Sequence, residues 1–154
     1  MLKVFTRQGL TCLAAALAAS PAPAADAPSR LELSKAWAPA AGEVGTDVPL
    51  YMTITNHAGE PDDLLRVRCP VAQFSEKLTT DYGEGTPAGR EVKSIPVPAN
   101  ETVKLKPGGY HLRLLQTTRP LAQGETFPCT LTFKNGGRQE VEVTVAAADA
   151  KAAP

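Results

Sequence analysis

The chain is a succession of short alternating segments cut at close intervals by proline and glycine, a pattern that demands a sheet and leaves no stretch for an ordinary helix. The clearest segment runs from Val48 to Asn56 (VPLYMTITN): Leu50, Met52, Ile54 and Asn56 fall on one face, Tyr51, Thr53 and Thr55 on the other. Leu31–Trp37, Asp63–Cys69, Val71–Thr79, Arg90–Ile95, Thr102–Lys106, Tyr110–Gln116, Phe127–Phe133 and Gln139–Val145 read as further extended segments. Pro70, Pro96-Val97-Pro98, Pro107-Gly108-Gly109 and Asn135-Gly136-Gly137 punctuate them, the last being a strong hairpin signal. Eight to nine short strands at regular spacing predict an all-β antiparallel sandwich or barrel formed by one domain over residues 31–145.

The ends read differently. Lys3 and Arg7 precede the apolar run Leu10–Ala19, and Ala22-Pro23-Ala24 places small residues where a signal peptidase reads them. Residues 1–24 are therefore expected to be a cleaved signal peptide, its apolar run too short to remain as a membrane span. Cys12 raises lipid attachment as the alternative. It sits early in the apolar run, however, and Gly9-Leu10-Thr11 before it fits a lipid-attachment signal poorly. Residues 25–30 are expected to be flexible, and the Ala-rich tail 146–154 to be frayed. The expected location is periplasmic.

The full chain balances sixteen basic against sixteen acidic residues. Losing Lys3 and Arg7 with the leader leaves fourteen against sixteen, and no basic cluster stands out in the sequence. A nucleic-acid partner is therefore not expected.

Two cysteines remain after cleavage, Cys69 and Cys129. In an oxidising compartment an even pair favours a disulfide, and a pair of thiolate metal ligands is the alternative. Catalysis finds little support. The two histidines, His57 and His111, have no convergent nucleophile, Asp62 and Asp63 are neighbours pointing opposite ways, and Gly83, Gly85 and Gly89 are irregularly spaced with no helix after them. His57 lies in a polar turn and reads as solvated, Met52 reads as packing, and Asn100-Glu101-Thr102 is a short sequon of the kind that arises by chance.

Several stretches taken in order resemble the PCu(A)C family of periplasmic copper chaperones. They are Tyr51–Asn56, Asp63-Leu64-Leu65, Ile95–Ala99, Leu105-Lys106-Pro107-Gly108-Gly109-Tyr110-His111-Leu112, Arg119-Pro120-Leu121 with Gly124, and Leu131-Thr132-Phe133. The resemblance implies a cupredoxin-like sandwich, copper(I) as the bound ion, and a copper chaperone or an oxidase assembly factor as partner. It also implies a His and a Met upstream and a His-x-Met pair after the Pro-Gly-Gly turn, donors soft enough for Cu(I). This chain keeps only His111 of those four. Arg113 stands in the Met position, Ser75 falls near the place of the upstream His, and Gly89 near that of the upstream Met. The sequence thus predicts a degenerate copper site with His111 as its metal residue. It leaves three readings open: His111 alone, a rearranged site of His111 with Cys69 and Cys129 if those are reduced, or His111 as a strand histidine in a metal-free sandwich module for binding or scaffolding.

Overall fold

The computed structural model describes residues 30–83 and 85–154. The leader, its Ala22-Pro23-Ala24 cleavage site, Cys12 and the 25–29 part of the N-terminal segment lie outside the described residues. Ten strands follow in chain order: β1 (Leu31–Pro39), β2 (Val48–Asn56), β3 (Asp62–Arg68), β4 (Ala72–Asp81), β5 (Ala88–Glu91), β6 (Ile95–Val97), β7 (Thr102–Leu105), β8 (His111–Thr117), β9 (Thr126–Phe133) and β10 (Gly137–Ala146).

β2 is the corner of the sandwich. Its first residues, Val48–Leu50, pair with β8, and its remainder pairs with β7. One layer therefore runs β6-β3-β9-β10-β1-β2-β7 and the other β5-β4-β8-β2. The alternation read in the sequence decides which face is inside: Val48, Leu50, Met52 and Ile54 of β2 and Leu112 and Leu114 of β8 are buried. They meet Leu64, Leu131, Phe133 and Val143 from the opposite layer in a single core. Asn56 is buried in the same row and is fully satisfied: Nδ2 donates to the carbonyls of Glu60 and Val97 at 2.9 and 3.3 Å, and Oδ1 accepts from the Ala58 N–H at 2.9 Å. That residue closes the 57–61 turn from within.

Two features correct the sequence expectation. Among the described residues the strands number ten rather than eight or nine, because the segment read as Arg90–Ile95 divides into β5 and β6. β6 forms across Pro96, which pairs with Asp63. As the end strand of its layer it can carry a residue with no N–H to donate. The sandwich is also mixed rather than purely antiparallel: β1 and β10 pair in parallel at Trp37–Pro39 and Thr144–Ala146.

Cys69 and Cys129 are joined by a disulfide, with Cα atoms 4.4 Å apart. The register explains the encounter. Arg68, the last residue of β3, faces Thr130 of β9, so Cys69 just beyond β3 comes opposite Cys129, the preceding residue of β9. Both cysteines are buried in the core.

Candidate functional site

The Pro107-Gly108-Gly109 turn sets up the site. Lys106 N–H bonds the Tyr110 carbonyl at 2.9 Å, and Gly109 N–H bonds the Lys106 carbonyl at 3.2 Å. Gly108 has φ +79°, and a Cβ there would stand 2.7 Å from the Tyr82 hydroxyl oxygen. Only glycine meets both conditions. The Tyr82 hydroxyl donates to the Gly108 carbonyl at 2.6 Å and ties the β4–β5 loop to this turn.

β8 begins immediately after the turn. Its alternation sends Leu112 and Leu114 into the core and leaves His111 and Arg113 half-buried on the outer face. The Gly109 carbonyl accepts from His111 Nδ1 at 3.0 Å and from Thr80 Oγ1 at 3.4 Å. A carbonyl oxygen can only accept, so Nδ1 carries a proton, which leaves Nε2 as the ring atom available to a ligand. On β4, Leu78 lies opposite His111 and Glu76 opposite Arg113. On β2, Pro49 lies opposite Arg113, and Tyr51 brings its ring centroid to 6.5 Å from that of His111. Trp37 packs on Tyr51 with centroids 4.9 Å apart and planes at 45°. Partial burial holds the Tyr51 phenol above its ordinary pKa, since the phenolate is the form that loses hydration.

Gly89 of β5 closes the arrangement. A Cβ at Gly89 would lie 3.1 Å from Arg113 Nη2, 3.5 Å from Leu78 Cδ1 and 3.9 Å from His111 Nε2. The residue assigned from the sequence to the upstream Met place thus stands beside His111, and the Arg113 guanidinium fills the space a longer side chain would use. The other placement differs. Ser75 lies opposite Leu114 in register and its hydroxyl donates to the Val67 carbonyl, so it is engaged between β3 and β4. His57 pairs with Glu32 at 3.0 Å on an exposed surface.

Cu(I) does not fit these residues as they stand. His111 Nε2 is one nitrogen donor. Arg113 is a permanent cation, and its side chain forms no hydrogen bond or ion pair among the described residues. Met52 is buried in the core, and both cysteine sulfurs are in the disulfide. Among the described residues no three His, Cys, Asp or Glu side chains are grouped to hold a metal. Tyr51, Trp37 and Leu78 were not singled out as site residues from the sequence. The available signals were the outward position of Tyr51 in β2 and the chain's single tryptophan next to it in space.

Three similarities bear on this geometry. "Putative lipoprotein Lxx21020" of Leifsonia xyli subsp. xyli is 30% identical over 138 residues, covering 89% of this chain and 82% of that protein. The solution structure of CuI-DR1885 from Deinococcus radiodurans is 30% identical with a TM-score of 0.58, covering 74% of this chain and 78% of that one. The copper-bound PCuAC domain from PmoF2 superposes with a TM-score of 0.66 at 24% identity, covering 77% of this chain and 93% of that domain, and establishes the shared cupredoxin-like sandwich. The fold is thus that of the PCuAC domain, and because residues 31–145 match the family described as "Putative lipoprotein LpqE-like", the chain belongs to the LpqE-like family.

Proposed function

We propose that this protein is exported and takes part in periplasmic copper handling or copper-oxidase assembly as a non-catalytic β-sandwich module whose own Cu(I) site is degenerate. The similarity to a Cu(I)-bound structure at 30% identity supports the copper connection. The observation that carries the reading of the site is the position of Arg113. Its guanidinium reaches the place above Gly89 where a second soft donor would meet His111 Nε2. A fixed positive charge within one side chain's reach of a bound cation opposes it, and one imidazole does not supply the several soft donors a stable Cu(I) site combines. The protein therefore acts beside a competent chaperone or an oxidase assembly factor rather than as the carrier.

Export rests on the leader read in the sequence and on the lipoprotein designation of the family and of the Leifsonia relative. Cu(I) titration of the mature protein against a strong Cu(I) chelator tests the reading: weak, non-stoichiometric binding supports it, and retention of one tightly held Cu(I) refutes it. The metal-free scaffold is the second reading, favoured by the engagement of both cysteines in the disulfide. Under it, copper binding is absent altogether.

A further inference from the structure

Beside the His111 face, on the other side of Tyr51, lies an open basin of about 170 Å³. Trp37 and Tyr51 line it, and Lys35, Lys104, Lys106 and Lys151 surround it. No acidic side chain lines the basin. None of the four lysines makes an ion pair or hydrogen bond through its side chain among the described residues, and all four are exposed. The lysines come from three separate parts of the chain. The β1–β2–β7 pairing assembles three of them: Ser34 faces Thr53, and Thr53 faces Lys104. Lys106 follows the buried Leu105 and so returns to the outer face, and Lys151, with Ala152 and Ala153, brings the C-terminal segment against the basin.

Lys35 is placed by a distortion. The β1–β2 register shifts between Ser34 and Trp37, and Lys35 sits at φ +50°, in the left-handed region that a lysine rarely occupies. Such a bulge re-aims a side chain, and backbone strain of this kind accumulates at sites of function. Here it delivers both Lys35 and Trp37 to the same basin. Four exposed lysines line one basin with no acidic side chain among its lining residues, so a bound anion would meet positive charge from several sides.

We propose that this basin binds a small organic polyanion, a di- or tricarboxylate or a phosphorylated compound, with the lysine ammonium groups holding its charges and the Trp37 and Tyr51 rings flooring it. The volume selects a small molecule, since it falls below the roughly 300–1,000 Å³ of pockets for drug-sized ligands. This basin shares Tyr51 with the His111 face but uses neither His111 nor Arg113, and it does not depend on the copper reading.

Trp37 is the chain's only tryptophan, so tryptophan emission reports on this one position, which lines the basin. Citrate and pyrophosphate are titrated separately at constant ionic strength, with sodium chloride as the control. A saturable change in Trp37 fluorescence is expected for at least one anion, confirmed by calorimetry, and which of the two binds distinguishes carboxylate from phosphate chemistry. Lys104→Ala combined with Lys106→Ala weakens binding by about tenfold or more, as does added salt, whereas Lys134→Ala, exposed elsewhere, leaves it unchanged. A thermal melt establishes that the double variant is folded. Absence of saturable binding by either anion, or undiminished binding by the folded double variant, overturns the proposal. So does tighter binding of a short poly-aspartate peptide than of either anion, which would assign the basin to an acidic protein segment.

Discussion

His111 Nε2 and Arg113 Nη2 converge on one point: both lie within 4 Å of where a Gly89 Cβ would stand. Two residues apart on one face of β8, they place a lone pair and a permanent cation at the position where a soft metal would need two donors. The geometry says how the site could be rebuilt. Gly89 is free of positive-φ constraint, and its nearest obstruction is the end of the Arg113 side chain itself. Arg113→Met alone is expected to raise Cu(I) affinity only slightly. Gly89→Met together with Arg113→Met sets two thioethers beside His111 and should raise it by about tenfold or more over the single variant, measured by chelator competition.

The disulfide closes a loop with a sequence separation of 60. In the chain-entropy picture such a link stabilises the fold by about 4 kcal/mol. Replacing both Cys69 and Cys129 by Ala should lower stability by that order, read as a shift of the urea midpoint. A variant with an unchanged midpoint would show that the pairing registers of β3 and β9 hold these strands without the bridge.

Gly108→Ala forces a side chain into a left-handed turn and against the Tyr82 hydroxyl. The expected loss is about 1–3 kcal/mol. Tyr82→Phe in the same background should recover part of it by removing the clashing oxygen, which a double-mutant cycle measures.

The Tyr51 phenol is held above its ordinary value near 10 by burial. As pH rises past that ordinary value, the unfolded chain loses this proton before the folded one does. Tyr51 therefore contributes a fall in stability with alkaline pH, beginning near the ordinary value and ending above the raised one. Urea midpoints from pH 8 to 11 should decline more steeply for the native protein than for Tyr51→Phe. Parallel curves would contradict the burial assigned to this ring.

Export is checked on protein recovered from the periplasm. N-terminal sequencing and intact mass should place the first residue at Ala25 or within a residue or two of it. An intact Met1 on that protein, or a lipid-modified Cys12 as the first residue, would contradict cleavage after Ala24.

The strands were legible because their alternation is strict: Leu50-Met52-Ile54 in β2 and Leu112-Leu114 in β8 are apolar where the core requires it. Periodicity does not carry pairing partners, so the parallel contact of Trp37 with Thr144 was invisible. β6 was missed because Pro96 forbids a strand only where its absent N–H is needed, and the end of a layer does not need it. At the site, Gly89 was assigned through the family resemblance, and its neighbours came only from the structure: Gly89 pairs with Thr80 on β4, two residues from the Leu78 that faces His111. The lysine basin could not be read ahead, since Lys35, Lys104 and Lys151 are far apart in the chain and meet only through β1, β2 and β7.

The proposal's central claim is that this sandwich keeps the PCuAC fold without a competent Cu(I) site. The direct measurement is the stoichiometry and affinity of Cu(I) on the oxidised mature protein in competition with a strong chelator, compared with His111→Ala. The account predicts weak, non-stoichiometric binding that His111→Ala scarcely changes. One equivalent of Cu(I) held against the chelator would contradict it, and a requirement for reduced Cys69 and Cys129 in that binding would assign the metal to a rearranged His111–cysteine site.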